Sequence, residues 1–261
     1  MAFDLNNFVI DRIVRGVALS QKDDSVLFSI NQIQNASLNC ASESADAVDA
    51  LGTPIATFYR AKSAEFSAEN ALFDMNLMAT QLGTKKKIAS STAKITVPAM
   101  ESFTAAGGTY TLKHSPKVAP SEIYALNGDS TFVTKYAKAT SATAEAFSVA
   151  DKTVTLPTGV ADGTEMFVMY EYETENAVEV DNSATEFPVG CKFIMEVLGC
   201  DVCDQTNLVY AYVIFNNFKL SPDFDWSIAT DGTHPFSGRA QQDYCDKEKR
   251  LFSIVIPGDE E

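Results

Sequence analysis

At 261 residues, with 46% apolar and 21% charged residues, the chain can bury one elaborated core or two compact ones, and a disordered chain is excluded. Its 35 acidic groups outnumber 20 basic ones for a formal charge of -15, and Lys/Arg clusters are missing apart from Lys85-Lys86-Lys87, which argues against tight phosphate binding. No run approaches the roughly 18 apolar residues that a membrane-spanning helix needs.

The charge is uneven along the chain. Residues 171–261 hold 18 acidic and 6 basic groups, a net -12, against -2 for residues 1–90 and -1 for 91–170. The N-terminal sequence lacks the charged-then-apolar pattern of a secretion signal, and five Cys without one point to reduced thiols and folding in the cytosol. Seventeen Phe and nine Tyr against one Trp tilt the propensities toward sheet.

In chain order, residues 1–24 scatter apolar positions without holding either period, which predicts an extended N-terminal arm with one short strand. Strands follow at Val26–Ile33, near Ala36–Cys40 and at Ile55–Tyr59, with Glu43–Leu51 polar and Ala-rich and Gly52-Thr53-Pro54 marking a turn. The spacing of Leu72, Phe73, Met75, Leu77 and Met78, closed by Gly83, predicts a helix over 68–82. Short β segments then recur through residues 90–172, punctuated by turns at Gly107-Gly108, Asn127-Gly128-Asp129 and Ala161-Asp162-Gly163, the rhythm of a small sandwich. Beyond it, Lys192–Leu198, Leu208–Phe215, Phe218–Ile228 and Arg250–Ile256 read as strands, so 25–92 and 176–261 are expected to form one discontinuous domain around an insert at 93–175.

Few residues suggest chemistry. Cys200 and Cys203, three apart, with Cys191 and Cys245 on either side, are a weak candidate for a zinc site, because the outer two lack the paired spacing of a second knuckle. His114 and His234 sit in turn-rich segments with no nucleophile pattern nearby, and no phosphate-binding loop surrounds Gly107-Gly108. Asp223 and Asp225 share one face of the expected Phe218–Ile228 strand, a solvated face or a pair of carboxylates acting together. The pattern implies a mainly β, non-enzymatic building block that needs no cofactor.

Several segments resemble the major tail tube proteins of long-tailed phages. They are Asp49-Ala50-Leu51-Gly52-Thr53-Pro54-Ile55, Tyr59–Ser67, Leu77–Gly83, and Phe218-Lys219-Leu220-Ser221-Pro222-Asp223-Phe224-Asp225-Trp226, followed by Gly232, Pro235-Phe236 and Ala240. The resemblance implies a β-sandwich or barrel with a flanking helix, assembled as stacked hexameric rings that guide double-stranded DNA without binding it, with an inserted Ig-like domain at 93–175. It implies a place in the virion tail after assembly in the host cytoplasm, with adjacent rings, sheath, tape measure and tail terminator as partners. A DNA conduit should repel phosphate, which makes Asp223 and Asp225 candidates for the lumen wall, and Phe8, Ile10, Ile13 and Val14 candidates for contacts between subunits or rings. The alternatives are another virion structural protein (capsid, neck or tail-end adaptor) or a carbohydrate-binding surface module using Tyr124, Tyr136, Tyr170 or Tyr172.

Overall fold

The computed structural model describes residues 7–244 and 247–258, which fold as two compact units, the described residues up to 86 with those from 180 onward, and residues 87–179. In the first unit the elements are β1 (Phe8–Ser20), β2 (Val26–Ile30), β3 (Ile33–Val48), β4 (Pro54–Asn70) and helix α1 (Met75–Leu82). The second contributes β5 (Lys87–Ile88), β6 (Ile95–Thr104), β7 (Thr109–Thr111), β8 (Glu122–Leu126), β9 (Phe132–Lys138), β10 (Ala146–Ala150), β11 (Thr153–Thr155), β12 (Glu165–Thr174) and β13 (Val178–Glu179). The chain then returns to the first unit with β14 (Gly190–Asp201), β15 (Asp204–Leu220), β16 (His234–Ala240) and β17 (Ser253–Val255).

One sheet dominates the first unit, in the order β2-β1-β14-β15-β16-β4-β3, with β17 on the edge of β15. Its apolar face is built from fully buried Phe28, Phe66, Phe193, Phe215, Phe218 and Phe236. Phe66 on β4 lies 5.7 Å from Phe193 on β14 although those strands are three places apart. In a flat sheet, three strand spacings would separate them by about 14 Å. The sheet is therefore curled into a half-barrel around its own phenylalanines, each contributing about 1.5–3 kcal/mol on burial. Gly238 on β16 permits this closeness, since a Cβ there would come within 2.5 Å of the Phe218 ring.

Helix α1 is shorter than its sequence suggests. Phe66, Ala68 and Asn70 are all buried on the inner side of β4, so the strand keeps its period of two until Asn70. Asp74 then caps the helix, its carboxylate accepting from the Asn76 and Leu77 N–H groups at 2.9 and 2.7 Å. Gly83 ends it at φ 75°, where a side chain would collide with the Phe187 carbonyl.

The expected arm over 1–24 is replaced, across the described residues, by the 13-residue strand β1 inside the sheet. It pairs with β14 from Phe8 opposite Asp201 to Ser20 opposite Cys191. Register shifts at Ile10/Arg12 and Ile13/Arg15 interrupt the alternation of side chains, so period two is absent from a real strand. The expected strand Phe218–Ile228 is corrected in the other direction, because β15 ends at Leu220 and Asp223 and Asp225 lie in irregular backbone before β16. The aromatic alternation there serves stacking instead, Trp226 lying on Phe73 at 4.4 Å.

The second unit opens and closes with the paired strands β5 and β13. Between them runs a sheet in the order β6-β12-β8-β9-β10-β11-β7, with β9 and β10 parallel. Its two edges meet, since Phe103 on β6 stacks on Tyr110 of β7 at 3.7 Å. Inside the roll, Ile123, Phe147, Val154, Met166 and Val168 are fully buried. Buried Glu101 accepts hydrogen bonds from the hydroxyls of Tyr110 (2.7 Å) and Tyr170 and from the Lys113 N–H (3.1 Å). Burial works to raise its carboxyl, but these bonds outweigh burial and hold it below the ordinary range. The partners respond in kind: burial, then the bond to Glu101, pushes Tyr110 and Tyr170 up to about 12.

Glu101→Ala is expected to lower the stability of the second unit by about 3 kcal/mol, because buried Tyr170 and half-buried Tyr110 both lose a charged acceptor. Calorimetry should show a lower unfolding midpoint for this unit with that of the first unit unchanged. A variant melting with the parent protein would contradict the assignment.

Candidate functional site

The half-barrel has a second face, and across β3, β4, β16 and the end of β15 it is polar. Strand register aligns Ser37, Ser67 and Ser237 in one row, and Ser221 joins it through its N–H to the Ser237 carbonyl at 2.8 Å. The neighbouring row is Asn39, Glu65, Arg239 and Lys219. Glu65 accepts from Arg239 Nε at 2.8 Å, so the guanidinium is held along the sheet. Glu69 continues the same parity on β4 and accepts from Asn35 Nδ2 at 3.4 Å and from the Thr233 hydroxyl at 3.1 Å. Asp223 lines a shallow recess with Asn35, Ser67, Glu69 and Ser237. The surface is dense in hydroxyls, short in reach and tipped toward negative charge at that recess.

Beyond this face β3 and β4 continue as a two-stranded ribbon. β16 covers β4 only from Ala64 to Asn70, so residues 41–63 pair only with each other, reaching about 25 Å. One side of the ribbon carries Ala45, Ala47, Ala56 and Phe58 together with the charged pair Glu43 and Arg60, and the other Ser44, Asp46, Thr57 and Tyr59. Leu51 at its tip is 92% exposed and Tyr59 72%. Such a ribbon, with exposed apolar groups on both sides and at its tip, is marginal on its own, the form of an element that docks.

The sequence pattern of the YomU/Tube protein family matches residues 8–252. The chain belongs to that family. No curated protein matches it. As a phage tail-tube family protein it is a viral structural component rather than an enzyme. The matched span includes the whole second unit.

In this Tube-family chain the residues singled out for contacts are divided. Phe8 and Ile13 pack against the core of their own unit, Val14 is half-buried, and Ile10 is exposed. Asp223 and Asp225 are both exposed, and Asp223 alone borders the recess described above. The cysteines do not converge. Cys191 is buried among the phenylalanines, donates to the Phe218 carbonyl at 3.3 Å and is pushed up to about 12 by burial. Cys200 is half-exposed, Cys203 lies exposed at the β14–β15 turn, and Cys245 falls outside the described residues. Among the described residues no group of three or more His, Cys, Asp or Glu side chains is placed to hold a metal ion.

Sequence reasoning missed the serine rows, because register, not spacing, assembles them. It also missed the role of His234, which is fully buried. His234 Nδ1 accepts the Asp74 N–H at 3.3 Å, which leaves Nε2 to donate to Gln81 Oε1 at 2.8 Å. Gln81 in turn donates to the Pro235 carbonyl at 3.1 Å. The ring clamps helix α1 to the first residues of β16, and burial depresses its pKa against the pull of Asp74.

A depressed histidine pKa means that the unfolded chain takes up a proton that the folded chain refuses. Stability is therefore present above the unfolded value, about 6.5, and is lost as pH falls below it. The midpoint of the first unit is expected to drop between pH 7 and 5.5, and His234→Gln should flatten part of that drop. Parallel pH profiles for the two proteins would contradict the clamp.

Proposed function

We propose that this chain is the repeating subunit of a phage tail tube, closing as hexameric rings that stack into a conduit for DNA. The observation that carries the reading is the projecting ribbon of residues 41–63 on a chain of the YomU/Tube family, a structured surface on which Leu51, Ile55, Phe58 and Tyr59 are each more than half exposed. Ring closure satisfies it by laying the Ala45, Ala47, Ala56 and Phe58 side against a neighbouring copy or ring, with exposed Ile10 on β1 contributing to the same contacts.

The serine-lined face of β3, β4, β16 and β15 is the proposed bore. Hydroxyls and an asparagine offer DNA no charge to grip, Glu65 holds Arg239, and Glu69, Asp223 and Asp225 are proposed to outweigh exposed Lys219 in repelling phosphate. Binding energy spent on the genome would stall its passage, so weak contact is the useful design. The first unit as a whole carries 24 acidic and 13 basic groups, a net -11, against 11 and 7, a net -4, in the second. The second unit, with its own core and its paired entry and exit strands, is read as an inserted Ig-like module.

Ala41 and Ser63 are direct partners across the ribbon, so residues 42–62 can be replaced by an Asn-Gly turn. Electron microscopy of the intact protein should show hollow tubes or rings of sixfold symmetry, and the shortened variant should remain a folded monomer. Tubes from the shortened variant would overturn the role of the ribbon. A parent protein that stays monomeric at high concentration, or forms solid filaments, would overturn the assembly itself.

A further inference from the structure

The second unit carries an aromatic surface that its fold does not use. Of the four tyrosines on which a carbohydrate reading of the sequence rests, three are occupied. Tyr170 is buried on Glu101, Tyr136 packs against the core, and Tyr172 stacks on His114 at 3.9 Å. Tyr124 remains, and register surrounds it with residues that no spacing rule links.

On the outer face of the sheet, Phe167 on β12 lies directly opposite Tyr124 on β8, which lies opposite Lys135 on β9. One pair along, Met100 and Met169 face each other across β6 and β12. Phe132, opposite Leu126, sits 4.9 Å from Tyr124 and 5.3 Å from Phe167, tilted 50° and 59° to their rings. Phe132 is 60% exposed, Met100 67% and Met169 56%. These residues form a shallow seat of rings and thioethers with one tilted wall.

The polar groups at its edge are already positioned. Glu122 accepts the Tyr124 hydroxyl on Oε2 at 2.6 Å and Lys135 Nζ on Oε1 at 2.8 Å. Each carboxylate oxygen keeps a further lone-pair direction, and the ammonium keeps two further N–H groups. A fixed acceptor and donor thus stand beside an apolar floor.

We propose that this face is a carbohydrate-binding site for β-1,4-linked glucopyranose or N-acetylglucosamine chains. A pyranose with equatorial substituents presents an apolar C–H face that lies on an aromatic ring, while its hydroxyls radiate in the plane toward groups such as Glu122 and Lys135. The size of the surface favours such a ligand over a second copy of this chain. The exposed parts of these five side chains amount to about 400 Å², roughly half of the 800 Å² per partner that a stable protein interface buries. The Glu122–Lys135 pair at the rim is satisfied internally, and exposed Glu165 and Glu171 flank Phe167 and Met169 on the same face of β12. The inference concerns residues 95–138 and 165–174 alone and stands apart from the tube reading of the first unit.

The test titrates the full chain with cellohexaose and with chitohexaose by calorimetry, using mannan as a control. Binding at a dissociation constant of 1 mM or tighter is expected for one of the two hexaoses, weakened at least tenfold in Phe132→Ala and in Met100→Glu. Both positions are exposed, so the variants keep the fold, which circular dichroism verifies. No heat with either hexaose, or binding that both variants retain, would overturn the proposal. Self-association that disappears in Phe132→Ala would overturn it in favour of a second copy covering the face.

Discussion

Everything in the first unit depends on six phenylalanines that must be buried by strands distant in the sheet. Phe66 touches Phe193, Phe215, Phe218 and Phe236 at ring distances of 5.7 to 6.3 Å. Only a curled sheet brings β4 that close to β14, and only one face of a strand can be spent on such a cluster. The curl therefore decides what the other face holds: short hydroxyls, an asparagine and charges, many of them tied together by cross-strand bonds. The same constraint explains helix α1, which seals one end of the apolar face with Leu77 and is pinned there by the His234 and Gln81 hydrogen bonds.

The core stops where β16 stops covering β4, and the ribbon begins there. Between Ala41 and Glu43 on one strand and Ser63 and Arg60 on the other, an extra residue forms a bulge in β4, with Ala61 at φ 48°. A bulge at the root of a projecting hairpin sharpens its twist and sets its direction. The part of the chain committed to its own core and the exposed ribbon are thus divided at one residue. The second unit makes a separate bargain, closing its roll with stacked Phe103 and Tyr110 and a buried carboxylate.

Much of this was legible in the sequence where local chemistry decides. Gly83 ends the helix, and Leu208–Phe215 is a strand, because cap geometry and alternation act over a few residues. The segments resembling tail tube proteins lie in a chain whose YomU/Tube match extends over 8–252. The misses share a physical cause. β1 hides behind two bulges that break its period, and Ala68–Asn70 have side chains compatible with either structure until Phe236 and its neighbours select strand. Asp223 and Asp225 looked like a strand face because Phe224 and Trp226 alternate with them, yet Phe224 lies near the ring of His234 and Trp226 stacks on Phe73. Register cannot be read from spacing, so neither the serine row nor the Tyr124 seat announced itself.

The central claim is that the polar face of the half-barrel becomes the inner wall when copies assemble. Accessibility at Ser67, in the middle of the serine row, tests it most directly. In a variant carrying Ser67→Cys, with exposed Cys40 and Cys203, half-exposed Cys200 and also Cys245 replaced by Ser, free subunits should react equally with a small maleimide and with one attached to a large dextran. Assembled tubes should admit the small reagent and exclude the large one. Equal labelling of tubes by both reagents would place Ser67 on the outside and contradict the account.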